Sequence, residues 1–177
     1  DEDEEVEREL KKIKDKSKKV LDKSRKTIDE LRKEVERTLR RWTKRSKDLL
    51  DKVEAAKRRN VREEELKRLV DEWRKEVDKV REEVERLKKK LKDELRRLER
   101  EHRELVREIE EELKRLAERG VPEEVLRKVD TILKEIKRRN EKVLKELRDI
   151  IDDLAKKLDE VLRRDEELAK KVTEELK

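Results

Sequence analysis

Cysteine, methionine, phenylalanine and tyrosine are all absent from this chain of 177 residues, which holds one glycine, one proline, one histidine and two tryptophans. Without cysteine there is no disulfide framework, no zinc-thiolate site and no thiol chemistry. No apolar stretch is long enough for a membrane span or a signal peptide, so the chain reads as soluble, its compartment undetermined. One glycine and one proline leave few places to turn. Apolar residues make up only 31% and aromatics 1%, which argues against a compact enzyme core of mixed sheet and helix. What fills the chain instead is charge: Asp, Glu, Lys and Arg account for 62%, against about 25% in an ordinary soluble domain.

So much charge would suggest disorder in a chain with few large side chains. Spacing decides otherwise. The apolar residues, almost all Leu, Val and Ile, return at intervals of three and four, which marks helices with one buried stripe. Between the stripes lie acid-to-base pairs four apart, such as Glu82 with Arg86, Glu110 with Lys114, Glu135 with Arg139 and Asp153 with Lys157. Each adds a few tenths of a kcal/mol to a helix.

Two turns divide the chain, and they resemble each other: Arg59-Asn60-Val61-Arg62-Glu63-Glu64 and Arg119-Gly120-Val121-Pro122-Glu123-Glu124. Asn60 and Gly120 are residue types that tolerate the left-handed conformation after a helix, and Pro122 suits a first helical turn. Acidic residues follow each turn and basic ones precede it, as the helix dipole favours. The spacing therefore predicts helices over 2–58, 62–118 and 122–176, forming one domain over 1–177. Helices of about 57 residues are each about 85 Å long, and connections this short make sequential helices antiparallel. The fold class expected is all-α, a long up-down-up three-helix bundle.

The stripe also has a longer period. In the first helix it runs Leu10, Ile13, Ser17, Val20, Ser24, Ile28 and then Leu31, Val35, Thr38, Trp42, Ser46. The second gives Val77, Val80, Val84, Leu87, Leu91, Leu95 and then Leu98, His102, Leu105, Ile109, Leu113. The third gives Leu126, Val129, Leu133, Ile136, Asn140, Leu144 and onward to Leu162. Five steps cover about 18 residues, or 3.6 per step, the pitch of a straight α-helix, whereas heptads impose a left-handed supercoil. Little or no superhelical twist is expected.

On this register, the equal arms, the near-identical turns, the Leu/Val/Ile core and the Glu/Lys/Arg surface, the chain resembles the parametrically designed, idealised bundles of de novo protein design, in particular straight antiparallel three-helix bundles. The resemblance covers the whole chain. It implies a hyperstable monomer, a structural scaffold with no evolved biochemical activity, no enzymatic role and no cofactor. The departures from an idealised core are the polar residues on the stripe.

In an antiparallel bundle, residue numbers at one level total about 121 between helices one and two and about 241 between two and three. Ser17, His102 and Asn140 then fall in one layer, and a buried hydrogen-bonded layer is expected. Trp42, Ser46, Trp73 and Asp165 form a second group, in which an indole N–H of Trp42 or Trp73 could reach the Asp165 carboxylate. Asp165 is the one acid placed inward. Ser24, Thr38 and Thr131 are single small polar residues that can bond a carbonyl one turn back. A serine, an imidazole and an amide are the parts of a hydrolase triad, yet continuous helices supply no oxyanion hole and no room for substrate. A satisfied polar layer that fixes register and helix order is the better reading. A haem site at His102 would need small residues opposite, where Leu and Val stand instead. Surface carboxylates almost all have a base within one turn, so a metal site is not expected. Both tryptophans read as core fillers whose N–H needs an acceptor.

The formal net charge of +6 lies on the first arm: residues 1–60 carry 22 basic and 16 acidic side chains, 61–120 carry 20 of each, and 121–177 carry 16 of each. Lys11-Lys12, Lys14, Lys16, Lys18-Lys19 and then Arg40-Arg41, Lys44-Arg45, Lys47 could attract phosphates, so weak non-specific binding of nucleic acid or an anionic surface is the alternative function. No aromatics interleave with these bases and no reading motif is present, so a specific nucleic-acid partner is not expected. Nor is a membrane partner, because the apolar stripes lack aromatic anchors. No partner is required. A monomer is expected, with self-association open only if part of the stripe stays exposed.

Overall fold

The computed structural model describes residues 2–175, with side chains from Glu4 onward. Three α-helices follow one another: α1 over Glu2–Arg58, α2 over Glu63–Glu118 and α3 over Glu123–Glu175. No strand occurs among the described residues. The structure is a three-helix bundle with sequential helices antiparallel.

Both turns follow from residue types. Asn60 has φ 49° and Gly120 φ 73°, the left-handed conformation that ends a helix. After α1 the Asn60 N–H donates to the Lys57 carbonyl and the Val61 N–H to the Ala56 carbonyl, the two bonds of a Schellman motif. After α2 the Gly120 N–H donates to the Ala117 carbonyl, while Val121 buries itself in the same apolar cluster as Leu116. Arg62 and Pro122 stand one residue before the helices begin, and their carbonyls accept from Leu66 and Leu126. Pro122 therefore occupies the cap and not the first turn.

Within the span expected as one bundle, residues 1–177, the helices group into two compact units, each built from a segment of all three. Unit 1 takes the chain up to Asp29 together with Asp93–Ile151, and unit 2 takes Glu30–Lys92 and the chain from Asp152. In unit 1, Val6, Ile13, Leu105, Ile109, Leu116, Val129, Leu133 and Ile136 form the core. In unit 2, Leu49, Val53, Trp73, Val77 and Val172 form a core cluster. Burying one such aliphatic side chain contributes about 1.5–3 kcal/mol.

Ion pairs along the seams fix the direction of the helices within each unit. In unit 1, between Lys16–Glu108 and Lys23–Glu101, the α1 partner advances by as many residues as the α2 partner retreats. In unit 2, Glu34–Lys90 and Arg41–Glu83 do the same, as do Lys88–Asp159 and Arg81–Glu166 between α2 and α3. Acid-to-base pairs within single helices persist beside these, as in Glu36–Arg40, Arg97–Glu101 and Asp130–Lys134, but some of the expected ones turn to a neighbour. Glu110, for instance, takes Lys137 of α3 in place of Lys114, because positions flanking an interface face the neighbouring helix.

The core period repeats on all three helices. Buried positions run Ser24, Ile28, Leu31, Val35, Thr38, Trp42 on α1, Trp73, Val77, Val80, Val84, Leu87, Leu91 on α2, and Val129, Leu133, Ile136, Asn140, Val143, Leu147 on α3. The detail departs from the expected stripe: Leu10, Leu95, Leu126 and Leu162 are half-buried, as is Ser46, which the sequence placed in a buried layer, and at three further places neighbouring residues share the inward position. Leu21 is buried and Val20 half-buried; Leu116 and Glu112 are buried and Leu113 half-buried; Val143 and Leu147 are buried and Leu144 half-buried. Each helix faces two neighbours, so its apolar arc is wide enough to hold adjacent residues, and packing chooses which of them turns fully inward.

Candidate functional site

The first expected group lies in unit 1, carried by the interior of all three helices. Ser17 is buried on α1, His102 is 3% exposed on α2 and Asn140 is 1% exposed on α3. The Asn140 amide Nδ2 donates to Ser17 Oγ at 2.7 Å and to the Ile136 carbonyl at 2.8 Å. The second bond fixes the amide's orientation, since a flipped amide would set its own oxygen against that carbonyl. Asn140 Oδ1 is left buried with no hydrogen-bond partner among the described residues, and so are both ring nitrogens of His102. The structure thus brings Ser17 and Asn140 together and leaves His102 beside them without a bond. His102 and Asn140 line one cleft between α2 and α3, whose rim carries Glu99 and Arg148. Burial holds the His102 pKa below its ordinary value; the nearby Glu101 carboxylate opposes this and Arg148 adds to it.

That geometry bears on the hydrolase reading. A serine nucleophile needs a base within hydrogen-bond reach, and the partner of Ser17 Oγ is the Asn140 amide, which has no proton-accepting nitrogen.

The second group lies in unit 2 and is wired differently from the sequence reading. Ser46 Oγ donates to Asp165 Oδ1 at 2.9 Å. The Trp42 indole Nε1 does not reach Asp165; it donates to Glu83 Oε2 at 2.6 Å, and Arg41 pairs with the same oxygen at 3.1 Å. Trp73 is a core filler against Leu49, Val53, Val77 and Val172. Burial pushes the Asp165 carboxyl above its ordinary pKa; the Ser46 hydrogen bond works against this and the Glu76 charge works with it. Ser24, Thr38 and Thr131 each donate to a carbonyl one turn back, of Val20, Glu34 and Arg127.

Two acids escaped the sequence reading. Glu83 was lost among many surface glutamates, although its place beside the core residue Val84 is a usable signal. Asp165 is not the one inward acid: Glu112 is buried as well, at 8% exposed, with Arg115 as its ion-pair partner at 3.4 Å. Among the described residues no group of three or more His, Cys, Asp or Glu side chains is placed to hold a metal ion. No described helix is long and apolar enough to cross a membrane.

No family model matches the sequence, and no curated protein matches it. A solved structure described as a "Computationally designed three helix bundle" is similar in fold, with 21% sequence identity, a TM-score of 0.50, and coverage of 98% of this chain and 84% of that one. At that identity the likeness concerns the fold.

Proposed function

We propose that the chain is a structural scaffold, a designed three-helix bundle with no evolved biochemical activity, and that its buried polar residues serve register and helix order. The observation that carries this reading is the shared core period: the same steps of four and three separate the buried positions on α1, α2 and α3, and near-identical turns join helices of 57, 56 and 53 residues. The fold likeness to a designed bundle supports it. On this reading the helices pack without superhelical twist, and the protein is a hyperstable monomer. Chemical denaturation tests it. A guanidinium midpoint above about 5 M is the mark of hyperstability, and a mass near 21.8 kDa by light scattering is expected. An ordinary midpoint, or twice that mass, defeats the reading.

The alternative, weak attraction of nucleic acid or an anionic surface to the first helix, draws on the exposed lysines of α1, from Lys11 and Lys12 to Lys18 and Lys19. Such binding fades between low and physiological salt. A complex with one nucleic-acid sequence that survives that change would displace the scaffold reading.

A further inference from the structure

The three seams of unit 1 are not alike. α1 meets α2 through Lys16–Glu108, Lys23–Glu101 and Glu5–Arg119, and α2 meets α3 through Arg148–Glu99 and Lys137–Glu110. Between α1 and α3 a groove of about 550 Å³ opens in unit 1. Its floor is Val6, Leu10, Val125, Val129 and Ile132, and its rim carries Lys11, Lys14 and Lys128 with Glu7 as the single acid. None of the three lysines has a hydrogen-bond or ion-pair partner among the described residues. A second groove of about 610 Å³ shares Lys14 and Ile132 with the first and continues past Ile136 and Leu21.

An apolar floor below unpaired ammonium groups suits a ligand that is apolar along its length and anionic at one end. Among the described residues no large hydrophobic side chain stands fully exposed, so the floor lies below its rim of lysines, and a groove of this volume suits a single chain better than a partner helix about 10–12 Å across. A nucleic acid would use the lysines and leave the floor unused. We propose that the α1/α3 groove of unit 1 binds one single-chain anionic amphiphile, a free long-chain carboxylate, with its alkyl chain along the half-buried Leu10, Val125 and Ile132 and its head among Lys11, Lys14 and Lys128.

Titration calorimetry of the full chain with laurate, below its micelle concentration and in low salt, tests this. One laurate per chain is expected at saturation. Decanoate, two methylenes shorter, should bind about fifteenfold more weakly, since each buried methylene changes affinity about fourfold. Dodecyl maltoside, with the same tail and no charge, should be weaker than laurate by tenfold or more. The paired change Lys14→Glu and Lys128→Glu should weaken laurate at least tenfold with an unchanged helical circular dichroism signal, and Lys14→Gln with Lys128→Gln should shift it in the same sense. Lys67→Glu, on a groove of unit 2, should leave it unchanged. Equal binding of maltoside and laurate, lysine variants that bind as the parent does, or heat that accumulates without saturation would each overturn the proposal.

Discussion

His102 carries two ring nitrogens into unit 1 with no hydrogen-bond partner among the described residues, and leaving such a group buried costs about 1–3 kcal/mol. His102→Leu is therefore expected to raise stability by about 1 kcal/mol or more, seen as a higher denaturant midpoint; a fall would mean the ring makes contacts an aliphatic side chain does not replace. The lowered pKa adds a pH dependence. The unfolded chain takes up the proton first, so the contribution of His102 is full above its ordinary value of 6.5 and is lost as the pH falls below that toward the folded pKa. That acid-side loss should be absent from His102→Leu. Asp165 has the opposite sign. Its raised pKa means the folded chain takes up the proton first, so stability rises as the pH falls through the folded pKa toward 3.8. Asp165→Asn keeps an acceptor for Ser46, and it should stabilise the protein at neutral pH and abolish that gain, as denaturant melts at pH 7 and pH 4 would show. Sequence alone could place Trp42 on the stripe, but the choice between Glu83 and Asp165 depends on the rotamer of a side chain with several acids within reach.

At the scale of the element, the turns carry the sharpest test. A methyl group added at Gly120 would meet nothing within 4 Å, so the strain of Gly120→Ala lies in the backbone at φ +73° alone. A loss of about 1 kcal/mol is expected. Thermal melts would check it, and an unchanged midpoint would mean the turn relaxes out of the left-handed region. The turns were legible because Asn60 and Gly120 interrupt an otherwise unbroken pattern of helix formers, and the helix bounds differ from expectation by one residue at Arg62 and at Pro122, while the expected end of the third helix at 176 lies outside the described residues. The choice between Val20 and Leu21, or Leu113 and Leu116, was not legible. Both members of each pair sit on the same wide arc, and which one turns inward depends on the side chains opposite.

For the whole molecule, the three-helix architecture was readable because period and turns agree along the entire chain, whereas the grouping of the helices into two units leaves no mark in composition or spacing. Each helix contributes to both units, so helical circular dichroism and tryptophan emission should give the same guanidinium curve at neutral pH. Two separated transitions would show the units unfolding one after the other. Trp42 and Trp73 both belong to unit 2, and the bundle has no other fluorophore of their kind. An experimenter watching light from the indoles therefore has a lamp in one room of the house: events around His102 stay dark until a tryptophan is added near them.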